Sequence, residues 1–315
     1  MIGRIKHRFY YFLALGVLSF LLSFLVFAEP LPVTFVVVKD QGVYSKIIVV
    51  ADRLLQRDGV AVKTKVVEID SSSNTVHEVE GRLVTIGTQA AAYAYERYSD
   101  KTMINALLTR SGFTQLAQQS FGSIDSARRH GIVPLLLDQP LSRFFTLGAI
   151  LVPSAKTVGI LVGPANKHRL ESIRNQAATF GFDIKIAVLD PDNNPMQVIE
   201  PVIAACDFFV VLPDRRQINQ LAAKWVLPLS SRYRKPVIAY SQKYAEAGAL
   251  ASIFSSPEDV ALSIVNGLNR EAAVTDSRVV PFSISLNSSV ARSLGIKIKE
   301  AEFYSSAIHR GEPLL

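Results

Sequence analysis

The sequence predicts an α/β protein made of two doubly wound, parallel-sheet lobes with a central cleft. Runs rich in Val and Ile alternate with helical stretches from Val33 onwards, a pattern typical of parallel strands joined by crossover helices. The second half of the chain repeats the plan of the first. The strand-like runs are apolar nearly throughout, as expected for strands covered on both faces. With 49% hydrophobic residues among 315, the chain is long enough for two domains.

The first 28 residues have the pattern of an export signal. Basic residues precede an uncharged apolar run over 9–27, and Val26 and Ala28 occupy the small-residue positions of a signal-peptidase site. We therefore predict a signal peptide over 1–28 that is cleaved before Glu29. The alternative is an uncleaved membrane anchor, because the apolar run approaches the ~20 residues that span a bilayer. Both alternatives place the rest of the chain outside the cytoplasm, and the predicted compartment is the periplasm.

The charge balance argues against nucleic acid as a partner. Three of the 34 Lys and Arg residues and none of the 27 Asp and Glu residues lie within 1–28, so export would lower the net charge from +7 to +4. Such a small excess gives no strongly basic surface. Cys206 is the only cysteine. No internal disulfide can form, and apolar cores must stabilise the lobes.

The first lobe is predicted over 29–139. Its helices include 43–57, where apolar residues recur at three- and four-residue spacing, and 89–97. The predicted strands of this lobe are 34–38, 62–69, 83–86, 104–109 and 133–137. We predict that 140–156 forms the hinge and crossover to the second lobe.

The second lobe is predicted over 157–278. Its helices are predicted at 166–180, 215–225 and 257–268, and Pro257 followed by two acidic residues is a usual helix start. The predicted strands are 157–162, 183–188, 208–212, 237–239 and 250–254. After a linker over 271–278, a further strand at 282–286 suggests that 279–315 returns the chain towards the hinge.

Ligands of open α/β sheets bind beyond the carboxyl ends of strands, so the site is sought there. The strand at 83–86 is followed by Gly87 and by a helix that opens with Thr88 and Gln89. Free N–H groups at such a helix start attract a carboxylate or another anion. Thr88 and Gln89 are therefore candidate ligand contacts. The alternative for Thr88 is that it only caps its own helix.

Other candidates lie where the chain leaves the first lobe and near its first strand. Arg143 can hold a ligand carboxylate, and Asp138 can accept from an amine or hydroxyl group. Gln139, beside Asp138, is a further candidate contact. Alternatively, Asp138 and Arg143 pair with each other and fix the hinge. Tyr44, in the loop after the first strand, is either an aromatic contact or ordinary surface.

Two candidates follow strands of the second lobe. Asp214 ends a central strand and can neutralise a ligand ammonium group, or instead cap the helix that begins at Arg215. Ser241 follows the next strand and either donates to ligand or simply begins a helix. With Thr88 and Asp138, these residues make up a predicted site shared by the two lobes.

The sequence predicts no enzymatic activity, no cofactor and no metal site. The histidines are dispersed without a zinc-protease H-E-x-x-H pattern, and neither a G-x-S-x-G elbow nor a nucleotide loop is present. Cys206 leads into a buried strand, where a small apolar filler is favoured over a nucleophile.

Several stretches resemble one family of proteins, in order and at plausible spacing over most of 33–298. The sequence is similar to ABC-transporter substrate-binding proteins of the subgroup that includes tryptophan- and tyrosine-binding members. The stretches are Ile86-Gly87-Thr88, Leu212-Pro213-Asp214, 235–241, 247–251 and 287–296.

The resemblance implies the type I periplasmic binding fold, with a membrane permease and a cytoplasmic ATPase as partners. It also implies that the helix start at Thr88 and Gln89 takes a ligand carboxylate and that Asp214 helps hold an amino group. The sequence departs from the family at Ser241, where a second acid is common, and at Gln139, which separates the aspartate and proline of the hinge. These departures argue against transferring the ligand's identity.

We therefore expect a monomeric, periplasmic solute-binding component of an ABC-type importer. Its expected ligand is a small polar or amino-acid-like molecule bound between the lobes. The alternative is an exported sensor of the same fold that signals to a membrane kinase or receptor.

Overall fold

A computed structural model describes residues 30–39, 42–58, 62–70, 76–214, 216–269 and 281–311. The predicted export signal and the linker at 271–278 lie outside these ranges. The first sheet has five parallel strands in the order β2-β1-β3-β4-β5. These strands are β1 (Leu31–Val38), β2 (Val62–Ile69), β3 (Arg82–Ile86), β4 (Met103–Leu108) and β5 (Ile132–Leu136).

Helices cover both faces of the first sheet. They are α1 (Gly42–Arg57), α2 (Thr88–Arg97), α3 (Arg110–Phe121) and α4 (Ile124–Arg129). In α1 the buried residues Ile47, Ala51 and Leu55 are spaced by four, which places them on one face of the helix. That face packs on Val33 and Phe35 of strand β1.

The second sheet has the order β11-β10-β9-β8-β6-β7. Its strands are β6 (Thr157–Val162), β7 (Asp183–Val188), β8 (Phe208–Val211), β9 (Val237–Ala239), β10 (Ala251–Phe254) and β11 (Ser283–Leu286). All pairs are parallel except β10 with β11, which is antiparallel. The predicted class of two parallel-sheet α/β lobes is confirmed, with one antiparallel edge strand added.

The helices of the second lobe include one from the predicted hinge. They are α5 (Leu141–Leu151), α6 (Leu170–Thr179), α7 (Pro195–Ala204), α8 (Arg216–Tyr233) and α9 (Gln242–Ala247), and a 3₁₀ turn (Pro164–Arg169) follows β6. Most of the segment 140–156, predicted as the hinge and crossover, therefore forms helix α5. This helix belongs to the second lobe, because Phe144 and Phe145 are part of that lobe's core. Gly148 permits this packing, since a Cβ there would lie 2.4 Å from a ring atom of Phe208.

Helix α10 (Pro257–Asn269) follows the second sheet in sequence but packs on the first lobe. Val260, Ile264 and Leu268 of α10 are buried in the core formed by α1 and β1. Arg82 of β3 donates from Nη1 to the carbonyl oxygen of Leu268 at 2.6 Å. The prediction that 157–278 belongs entirely to the second lobe is thus wrong for this helix. An amphipathic pattern shows that one face is buried, but it does not show which sheet covers that face.

The chain returns to the second lobe in β11, which α11 (Ser288–Leu294) and α12 (Ala301–Gly311) follow. Tyr304 and Ile308 of α12 contribute to the same core as α5. The chain therefore passes between the lobes three times: before α5, before α10 and before β11. In the part of the chain that the structure describes, no helix combines the length and the apolar character needed to cross a membrane.

Candidate ligand-binding site

The carboxyl ends of strands from both sheets meet beside the interlobe crossings. The first crossing leaves the carboxyl end of β5 at Asp138, and the second leaves β10 at Ser255. Arg169, in the 3₁₀ turn after β6 of the second lobe, interacts electrostatically with Asp138 of the first lobe. The two lobes thus bring their strand ends to one region, which is where ligands of parallel α/β sheets bind.

Gly87, not Thr88, caps helix α2. Gly87 has φ 93 and makes no side-chain capping hydrogen bond, and the helix itself begins at Thr88. The alternative in which Thr88 caps the helix is wrong, because Gly87 occupies the cap position with a positive φ that favours glycine. Thr88 and Gln89 are left exposed in the first turn. Tyr44 lies beside them, since its Oη is 2.8 Å from the position that a Cβ on Gly87 would take.

The start of helix α3 lies next to the start of α2. Thr109 caps α3, and its hydroxyl accepts from the backbone N–H of Gly112 at 3.1 Å. The Thr88 Oγ1 is 3.8 Å from the position of a Cβ on Gly112. The positive ends of two helix dipoles therefore lie side by side. The sequence prediction missed Thr109 by including it in a strand, although a hydroxyl residue at a strand end is a usual cap signal.

Asp138 lies at the end of β5 with its carboxylate half-buried. Its Oδ2 accepts from the backbone N–H of Arg110 at 2.5 Å. Burial raises the pKa of Asp138, while the Arg110 N–H and the charges of Arg110 and Arg169 act in the opposite direction. Asp138 therefore connects the start of α3 to the first crossing, and it interacts with the charge of one arginine from each lobe.

Gln139 and Arg143 are buried in the hinge, at 8% and 6% exposure. Arg143 donates from Nη1 to Gln139 Oε1, and its guanidinium lies 4.0 Å from the ring centroid of Phe282. Gln139 Nε2 donates to Ser255 Oγ at 2.9 Å, and that hydroxyl donates to the Pro281 carbonyl at 3.0 Å. These four hydrogen-bonded residues, Gln139, Arg143, Ser255 and Pro281, form the hinge network. The network joins all three crossings. Gln139 and Arg143 thus bond to other residues of the hinge, whereas the sequence predicted them as ligand contacts.

A second cluster ties the start of α10 to β11. Asp259 Oδ2 accepts from the backbone N–H and the hydroxyl of Ser256, at 2.8 and 2.7 Å. The same oxygen accepts from Ser283 Oγ at 2.7 Å. Ser256 and Asp259 form a capping box, so one motif both begins the helix and fixes the second crossing to the third.

Asp214 lies at the end of β8 and holds two loops of its own lobe together. Its Oδ1 accepts from the Ala165 backbone N–H at 3.2 Å, and its Oδ2 accepts from Asn166 Nδ2 at 2.9 Å. The Asp214 N–H donates to Asn219 Oδ1 at 2.8 Å. Gly163 makes room for the carboxylate, since a Cβ there would lie 2.8 Å from Oδ1. Asp214 thus has a structural role at the predicted location, and contact with a ligand ammonium group stays a prediction.

Tyr240 and Ser241 follow β9 next to Asp214. Burial, followed by the charge of Asp214, raises the pKa of Tyr240 to about 12. Ser241 occupies the N-cap position of α9 without a side-chain capping bond, and both residues are half-buried. The sequence prediction did not single out Tyr240, although the residue stands directly after the strand.

Arg169 was also missed, because the sequence places it inside the predicted helix 166–180. In the structure Arg169 ends the 3₁₀ turn, and its Nη1 donates to Asn166 Oδ1 at 3.0 Å. Burial and the charge of Arg110 lower the pKa of Arg169, whereas Asp138 acts in the opposite direction. The signal that marks this turn is Gly163-Pro164 at the end of an apolar strand.

Cys206 is buried just before β8. Burial raises the pKa of the Cys206 thiol to about 11, so the thiol is protonated and unreactive at neutral pH. Within the ranges that the structure covers, no three His, Cys, Asp or Glu side chains are grouped as metal ligands.

Solved structures of substrate-binding proteins share this fold. An ABC domain in complex with L-Trp from Streptococcus pneumonia is 18% identical, with TM-score 0.54 over 87% of this chain and 98% of that one. A ligand-free, open substrate binding protein with adhesive properties from Clostridium difficile is 16% identical, with TM-score 0.61 over 86% and 97%. A conserved domain protein from Vibrio cholerae is 16% identical, with TM-score 0.56 over 87% and 98%.

No protein-family model matches the sequence, and no curated protein matches it. The structural similarity confirms that the chain has the type I periplasmic binding fold that the resemblance implied.

Proposed function

We propose that this protein is the periplasmic solute-binding component of an ABC-type importer. In this proposal it binds a small solute between its lobes and delivers it to a membrane permease that a cytoplasmic ATPase drives. The fold supports this function. The observation that carries it is the meeting of strand ends from both sheets beside three crossings, where Asp138 of one lobe interacts electrostatically with Arg169 of the other.

Each lobe supplies part of the binding surface. The first lobe presents the exposed Thr88 and Gln89 at the start of α2, next to the start of α3. The second lobe presents Arg169, Tyr240 and Ser241, all half-buried at strand ends. Only a closed arrangement lets both sets contact one solute. Binding therefore shifts the population towards closure, and the permease recognises the closed form.

The hinge network gives this motion a defined pivot. Its hydrogen bonds join the crossings to one another, so the lobes turn about this point while each sheet stays intact. The protein acts as a monomer without catalysis, and the segment 1–28 directs it to the periplasm as a cleaved signal or retains it there as an anchor.

Native mass spectrometry of freshly purified protein, followed by small-angle scattering, tests the proposal. We expect a co-purified small molecule, and a radius of gyration that falls when the stripped protein is titrated with it. A tightly bound compound that leaves the radius of gyration unchanged would contradict closure between lobes. Chemical turnover of that compound by the purified protein would contradict a binding function.

A further inference from the structure

Two arginines from opposite lobes interact electrostatically with one carboxylate at the strand ends. The charges that act on Arg169 are those of Asp138 and Arg110, one attractive and one repulsive. The hydrogen-bond acceptor of Arg169 is the neutral amide oxygen of Asn166, at 3.0 Å. Asp138 already accepts the backbone N–H of Arg110. Asp138 thus interacts with the charges of two guanidinium groups, one from each lobe.

A second acid near the strand ends, Asp214, is engaged within its own lobe. Its two carboxylate oxygens accept from the Ala165 N–H and the Asn166 amide. A ligand ammonium group would have to compete with these donors. The residue after the next strand is Tyr240, whose phenol stays neutral because burial raises its pKa to about 12. The second lobe therefore offers donors to a ligand more readily than a free negative charge.

The first lobe adds positive potential at the same place. The starts of α2 and α3 lie side by side, as the 3.8 Å approach of Thr88 Oγ1 to the Gly112 Cβ position shows. The N–H groups of a first helical turn have no partners within the helix. These N–H groups can donate to an anion that the arginines attract, but they do not form a binding site by themselves.

We propose that the solute is a small organic acid that has a carboxylate and no ammonium group. Arg169 donates to the carboxylate from the second lobe, and Arg110 and the starts of α2 and α3 stabilise it from the first. Closure removes water from both guanidinium groups, and an anion between them relieves their mutual repulsion. This inference rests on the proposed solute-binding function and specifies its ligand class.

Calorimetry on the protein without residues 1–28, with matched pairs of compounds, tests the ligand class. The pairs are 3-phenylpropionate with phenylalanine and succinate with aspartate, and glucose serves as a neutral probe. We expect an acid to bind at least about 10-fold more tightly than its amino-acid counterpart. Tighter binding of the amino acids, or of glucose alone, overturns the inference and leaves the solute-binding function intact. Absence of binding by every probe, together with no co-purified compound, contradicts the proposed function itself.

Arg169→Gln tests the assigned contact, and Lys167→Gln is its matched control. Lys167 lies in the same 3₁₀ turn, is exposed and pairs with Asp190 at 2.7 Å. We expect Arg169→Gln to weaken binding of the acid about 30-fold or more, with partial recovery in Arg169→Lys and no more than about a twofold change in the control. Unfolding temperatures without ligand exclude a folding defect. Equal weakening by both Gln variants, or none by Arg169→Gln, overturns the assignment.

Discussion

Arg143 and Gln139 are hydrogen-bonded to each other inside the hinge, four residues apart, where the chain first leaves one lobe for the other. Gln139 also donates to Ser255 of the second crossing, at 2.9 Å. The amide thus accepts from a buried guanidinium on one side and donates to a hydroxyl on the other. Both crossings are held by a single side chain.

Gln139→Leu removes this bridge and takes one acceptor from a buried cation. We expect the free energy of unfolding to fall by about 2 kcal/mol, since hydrogen bonds to charged groups contribute about 1.5–3 kcal/mol. Urea denaturation measures the change. Gln115→Leu on the exposed surface of α3 is the control, with an expected change within about 0.5 kcal/mol. Equal stability of the two variants would contradict the role of the hinge network.

Two threonines at neighbouring helix starts differ in that one caps its helix and the other is exposed without capping, so their substitutions measure the effect of the cap. Thr109 accepts the Gly112 N–H at 3.1 Å, whereas Thr88 follows the capping residue Gly87. We expect Thr109→Ala to lower the free energy of unfolding by about 1 kcal/mol and Thr88→Ala to change it by less than about 0.5 kcal/mol. Thermal unfolding of both variants without ligand provides the measurement. The reverse order would show that Thr88 is the cap after all.

The sequence predicted the strands of both sheets well, because a run that is apolar on both faces has few alternatives to a buried parallel strand. It predicted the placement of α10 wrongly. The spacing of Val260, Ile264 and Leu268 defines a buried face, and only the path of the whole chain decides that this face packs on the first lobe.

The candidate site was predictable to the extent that it depends on strand ends. Thr88, Asp138, Asp214 and Ser241 all follow strands, as predicted. The sequence could not show which side chains these residues contact. An arginine is expected at the surface from its residue type alone. The burial of Arg143 depends on Gln139 and on Phe282, which is far away in the chain.

Asp214→Ala tests whether this carboxylate holds the loops of the second lobe. The change removes acceptors from the Ala165 N–H and from the Asn166 amide, so we expect a loss of about 2 kcal/mol in the free energy of unfolding. Differential scanning fluorimetry shows the loss as a lower unfolding temperature. Asp192→Ala, in an exposed turn of the same lobe, is the control and should leave the temperature unchanged. A silent Asp214→Ala variant would return Asp214 to a purely ligand-binding role.

Asp138 should make the stability of the protein depend on pH. Burial raises the pKa of Asp138 above its ordinary value, so the folded protein binds this proton more tightly than the unfolded chain does. The resulting stabilisation is complete below the unfolded pKa and is lost as the pH rises through the folded pKa. Asp138→Asn removes this titration while its amide oxygen can still accept the Arg110 N–H.

We therefore expect the unfolding temperature of Asp138→Asn, relative to the unchanged protein, to rise between about pH 4 and pH 7. Unfolding curves at several pH values in this range measure the difference. A difference that stays constant, or one that falls with pH, would show that the arginine charges outweigh burial at this carboxylate.

Cys206 provides a probe of folding that also tests the absence of a nucleophile. Cys206 is 1% exposed, its thiol donates to the Ile203 carbonyl at 3.4 Å, and burial raises the pKa of the thiol to about 11. At pH 8 only about one thiol in a thousand would be ionised, so an alkylating reagent should not label the folded protein. The unfolded chain should react with one equivalent, since Cys206 is the only cysteine. Rapid labelling of the folded protein would mean that the thiol is accessible and ionised, and it would reopen the question of covalent catalysis at this residue.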